Sequence, residues 1–166
     1  MIINTYINEL NYTYNAEHKG SHYLIENKTT YCNKGEFSES VCKYKHGCYE
    51  AHNPTTAWNK GSDIEHMQAS VKSSEASLGR GITGDTIEEM AENFFKETPS
   101  TLFIWINIDE LTQQVTEYHM NKAEFKMFIM NFTRVHHSSS KKENIVRFRK
   151  HSKKMEQWFE ELATAC

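Results

Sequence analysis

The sequence predicts a single α/β domain in which a central mixed sheet is flanked by helices. Three observations predict it. Helical and strand periodicities alternate from Lys34 onward. Residues 101–108, TLFIWINI, form the most apolar run in the chain, rich in β-branched and aromatic side chains and short enough for a buried central strand. At 166 residues and 38% hydrophobic content, the chain is one domain long and buries a core without staples.

The elements follow in order. Over 35–46, Phe37, Val41 and Tyr44 share one helical face, and Gly47 is a C-terminal stop. Residues 48–53 read as a short strand ended by Pro54, and 63–67 and 69–73 as two short strands around a tight connection. Over 85–97, Asp85 and Glu88 have capping-box spacing, Ile87, Met90, Ala91 and Phe94 form one apolar stripe, and Pro99 ends the helix. Residues 115–120 give a further strand. Asn121 and Glu124 open a helix carrying Phe125, Phe128, Ile129 and Phe132. His136, His137 and the Ser/Lys run to Lys142 read as a loop. Residues 144–149 form a strand, and Ser152 caps a last helix bearing Met155, Trp158, Phe159 and Leu162. The core thus spans about 34–108, and 109–166 elaborate it with additional strands and helices.

Charge is segregated although the formal net charge is only −3. Acids dominate from Asp85 to Glu117, whereas 134–154 hold eight Lys or Arg and one acid, Glu143. A basic face set against an acidic body suits contact with phosphate, and equally suits a solvated surface. Lys141, Lys142, Arg147, Arg149 and Lys150 are the candidate DNA contacts. No run of about 18 apolar residues predicts a membrane span, and the N-terminus lacks a secretory pattern. A cytoplasmic protein with reduced cysteines is expected. Gly79-Arg80-Gly81 lacks the strand, helix and lysine of a nucleotide-binding loop. Cys42-x3-His46-x-Cys48 offers zinc-type ligands, but its spacing is not that of paired structural cysteines, and buried or surface thiols are the expected reading.

Asp63 and Lys72 fall on opposite sides of the predicted hairpin, with Ile64 and Val71 packed inward, so that both reach one end of the sheet. A carboxylate beside an ammonium is what metal-assisted phosphodiester hydrolysis uses: the acid holds Mg²⁺, and the lysine orients water or stabilises charge growing on phosphate. Glu39, on the preceding helix, supplies a second carboxylate. By spacing alone, a turn cap at Asp63 and an exposed strand residue at Lys72 are the expected reading, and the site rests on the wider pattern.

KGEFSESV at 34–41, Gly61-Ser62-Asp63-Ile64 and Ala69-Ser70-Val71-Lys72-Ser73 together resemble the PD-(D/E)XK nuclease superfamily. The separation of Asp63 and Lys72 is similar to that in MutH-like mismatch-repair nicking endonucleases and related restriction endonucleases. The resemblance implies a restriction-endonuclease-like core, with Asp63 as metal ligand, Lys72 as catalytic lysine and Glu39 as the helix carboxylate, Glu50 being the alternative. Ser70 stands where the family usually carries a second acid. Either another carboxylate (Glu39, Glu50 or Glu65) replaces it, or one metal binds through waters, or cleavage has been lost. The expected function is a Mg²⁺-dependent endonuclease of restriction or phage type acting on double-stranded DNA. Ser70 or Ser73 would assist by hydrogen bonding, and a homodimer is expected if both strands are cut. The alternatives are a cleavage-deficient nuclease fold that binds DNA or protein, and a zinc-containing interaction protein.

Overall fold

The structure is a computed structural model that describes residues 1–10, 12–14, 22–25, 28–31, 34–47, 62–79, 82–138 and 143–165. Its centre is a mixed four-stranded sheet in the order β1-β7-β6-β5, formed by β1 (Ile2–Ile7), β5 (Ala69–Lys72), β6 (Leu102–Ile108) and β7 (Gln114–Met120). β5 runs parallel to β6, and β7 is antiparallel to both β6 and β1. A small second sheet joins β2 (Tyr12–Tyr14), β4 (Lys28–Tyr31) and β3 (His22–Ile25), and β8 (Thr133–Ser138) pairs with β9 (Glu143–Phe148) as a hairpin. The described helices are α1 (Lys34–Lys45), α2 (Ile87–Glu97), α3 (Lys122–Phe132) and α4 (Lys153–Thr164).

β6 is apolar on both faces because the sheet is covered on both. Ile104 and Ile106 pack with Ala69, Val71 and Val115 against Phe37, Val41 and Cys42 of α1. Phe103 and Trp105 face α2, α3 and α4 through Phe94, Phe125, Phe128 and Phe159. The Trp105 ring meets Phe128 and Phe148 at 5.0 and 5.4 Å, and its Nε1 donates to His151 Nδ1 at 3.0 Å. Trp105→Ala removes this packing and the indole bond together. It is expected to cost ~3–5 kcal/mol in urea unfolding, and a loss under 1 kcal/mol would contradict the packing described.

Several expectations need correction. The strand expected at 63–67 is a single bridge, Ile64 to Ala69, followed by a 3-10 turn at Glu65–Met67. The ladder stops there because the Asp63 side chain, not a strand backbone, accepts the next N–H, that of Val71. The N-cap of α2 is Thr86 rather than Asp85: the Thr86 hydroxyl accepts from Glu89 N, and the Asp85 N–H donates to the Glu89 carboxylate. His136 and His137 belong to β8, not a loop, paired with Ile145 and Asn144. The strand expected at 48–53 lies outside the described residues. The capping box of α3 and the Ser152 cap of α4 form as expected. Among the described residues no helix is long and apolar enough to cross a membrane.

Candidate active site

β5 is an edge strand, and Asp63 stands against its open side. The bridge at Ile64 buries that side chain completely and turns the Asp63 carboxylate onto the strand edge, where Oδ2 accepts from Val71 N at 2.8 Å. Side chains alternate along β5. Ala69 and Val71 pack towards α1, and Ser70 and Lys72 point to the other face. Asp63 at the edge therefore comes within electrostatic range of groups from both faces, Glu39 from α1 and Lys72 from β5.

The electrostatics record this meeting. Burial and the negative charge of Glu39 push the Asp63 carboxyl up to about 7, against the Val71 N–H, Lys72 and Lys43, which favour its ionised form. Desolvation lowers the Lys72 ammonium, and the charges of Asp63 and Glu39 pull it back up. No direct ion pair within 4 Å joins Lys72 to either acid among the described residues. The amine donates to Ser77 O at 3.2 Å and lies 5.8 Å from the Phe94 ring centre. Glu39 pairs with Lys43 one turn along α1 at 2.9 Å.

Ser70 is buried, and its hydroxyl lies 2.6 Å from that of Ser100, which lies 2.8 Å from that of Ser62. Three hydroxyls thus tie β5, the approach to β6 and the residue before Asp63 into one chain. Nothing in sequence order marks Ser100; only the parallel register of β5 and β6 brings it to Ser70.

Of the remaining candidates, Glu65 is exposed on the 3-10 turn, and Glu50, Lys141 and Lys142 lie outside the described residues. Arg147 sits on β9, where it bridges to Ser77, the residue whose carbonyl receives Lys72. Its guanidinium donates to Glu75 O at 3.2 Å. Arg149 and Lys150 follow, exposed. The segment 73–79 thereby joins the Lys72 end of β5 to the basic hairpin.

A second polar cluster lies between α1 and β7 and was not anticipated. Glu117, fully buried, receives His46 Nε2 at 2.7 Å and His119 Nε2 at 2.8 Å on one oxygen, and the Tyr6 hydroxyl on the other. Burial alone would raise the Glu117 carboxyl, but the bonds from His119, Tyr6 and His46 hold it at about 2. Cys42, His46 and Glu117 offer ligand atoms within 4.8 Å of one another. The cysteine and histidine read as a poor zinc motif with Cys48 are thus completed by an acid 71 residues beyond His46. Glu117 and His119 alternate on β7 as a solvent-facing pair would, so only α1 lying over them reveals their burial.

No family model, curated protein or solved structure matches the chain.

Proposed function

We propose that the protein is a Mg²⁺-dependent DNA endonuclease of the PD-(D/E)XK type, working in the cytoplasm. The observation that carries the reading is the electrostatic coupling of Asp63, Glu39 and Lys72 at the open edge of β5. Burial first, and repulsion by the charge of Glu39 second, push the Asp63 carboxyl up to about 7, so that it holds its proton close to neutrality. A divalent cation relieves that repulsion, and oxygen donors suit Mg²⁺. The mixed sheet, with α1 on one face and α2 on the other, is compatible with the core that the family resemblance implies.

Asp63 and Glu39 would hold the cation, which supplies Lewis acidity at the scissile phosphate. The Val71 N–H fixes one Asp63 oxygen and leaves the other open to a ligand. Lys72 would orient the attacking water or stabilise charge growing on the phosphate oxygens, in an enclosed setting where such an interaction is strong. The Ser62–Ser100–Ser70 chain would hold the strand edge in place. Arg147, Arg149 and Lys150, with Lys141 and Lys142, would grip the duplex backbone, giving binding that weakens with salt. Cutting both strands takes two such sites, which a homodimer supplies.

Supercoiled plasmid is the direct substrate. Nicking is expected with Mg²⁺, none with chelator, and a loss of about 10²–10³-fold in Lys72→Ala. Wild-type protein that binds plasmid yet never nicks it with any divalent metal would overturn the enzyme reading. It would favour a cleavage-deficient binding protein, an outcome to which the serine at position 70 points.

A further inference from the structure

α1 and β7 each present two ligand-type side chains at the spacing natural to the element. Cys42 and His46 are four residues apart on the helix, on the face turned to the sheet, and Glu117 and His119 are two apart on the strand, on the face turned to the helix. The four converge. His46 and His119 both bring Nε2 to one Glu117 oxygen, the Cys42 thiol lies within 4.8 Å of the His46 and Glu117 ligand atoms, and the imidazole centres lie 5.8 Å apart.

We propose that Cys42, His46, Glu117 and His119 form a structural zinc site that pins the C-terminal turn of α1 to β7. One thiolate, two imidazoles and a carboxylate are a complete tetrahedral set, and the soft sulfur with nitrogen ligands selects zinc over magnesium. Zinc bonds of about 2.0–2.3 Å place ligand atoms roughly 3.3–3.6 Å apart in a tetrahedron. The 2.7 and 2.8 Å contacts to Glu117 open by under 1 Å to reach that spacing, the Cys42 sulfur closes on it from within 4.8 Å, and the His119 ring swings in to complete it. Binding releases the Cys42 proton to solvent, and both imidazoles bind as neutral rings with the proton on Nδ1, the proton that each Nε2 now gives to Glu117 having left that nitrogen. The Tyr6 hydroxyl, bonded to the second Glu117 oxygen, orients the carboxylate from outside. Glu39 lies two turns before His46 on the same helix, so the ion would also steady α1 where it approaches Asp63. The site does not rest on the nuclease reading.

The full chain, loaded with Zn²⁺ and desalted, is expected to hold one zinc per chain by elemental mass spectrometry and to melt at higher temperature than the chelator-treated protein. Cys42→Ser and His119→Gln are expected to lose the ion, and Tyr6→Phe to bind it about 10–100-fold more weakly. Asp63→Asn is expected to keep it, as is a triple variant Cys32→Ser, Cys48→Ser, Cys166→Ser. Cobalt in that triple variant should give a tetrahedral visible spectrum with a thiolate charge-transfer band. This measurement decides the matter even if Cys42→Ser fails to fold. Folded protein without stoichiometric zinc, zinc retained by Cys42→Ser, or cobalt lacking the thiolate band would each overturn the proposal.

Discussion

Asp63→Asn is expected to stabilise the metal-free protein at pH 8 by ~2–4 kcal/mol while abolishing cleavage. At about 1.36 kcal/mol per pH unit, holding an ionised carboxylate where the group titrates at about 7 rather than 3.8 is a cost carried by the folded state. The amide keeps an oxygen to accept from Val71 N and carries no charge against Glu39. Below pH 3.8 the wild-type carboxyl is protonated in both folded and unfolded chains, and the substitution should change little. Between 3.8 and about 7 the native protein keeps its proton and the unfolded chain loses it. Wild-type stability therefore declines as pH rises through that window and levels off above it. The variant lacks this decline. At pH 8 its melting temperature should exceed that of wild type by roughly 5–15 °C. A variant less stable than wild type at pH 8 would mean that Asp63 is there as a structural cap.

The second large effect is the pH dependence of magnesium use. A protonated carboxyl does not hold the cation, so binding must displace the Asp63 proton. Apparent Mg²⁺ affinity should fall about tenfold per pH unit below 7 and stay level above it, given where Asp63 titrates. At subsaturating Mg²⁺, nicking at pH 5 should run roughly 100-fold slower than at pH 8, and raising Mg²⁺ should move the acidic limb to lower pH. A rate independent of pH from 5 to 8 would remove Asp63 from the binding step.

Much of the architecture was legible because it is written in local periodicity. The apolar run at 101–108 became the buried β6, and Asn121 with Glu124 capped α3. The inward packing of Ile64 and Val71 also held, since both are large apolar residues flanking a turn. β1 was not anticipated: it is a strand at the sheet's edge, with Ile2 and Ile7 exposed, and so lacks a buried apolar alternation. β8 was missed for a similar reason, because Arg134, Val135, His136 and His137 are all exposed. Within the site, Asp63, Lys72 and Glu39 could be named from residue type and order. Ser100 and the Glu117 cluster could not, since both arise from contacts between elements distant in sequence. The buried carboxylate of Glu117 is the clearest case: Val115, Glu117 and His119 share a strand face, and which way that face looks is decided only when α1 docks.

Asp63 and Glu39 act on each other at the β5 edge, and a divalent cation would resolve their repulsion. The chain has three aspartates, Asp63, Asp85 and Asp109, so carboxyl carbon NMR on ¹³C-labelled aspartate can follow Asp63 directly, with Asp63→Asn as the assignment. A midpoint near 7 without metal, falling by more than about two pH units at saturating Mg²⁺, is the expected result. A midpoint in the ordinary carboxyl range, or one that Mg²⁺ leaves where it was, would contradict the account.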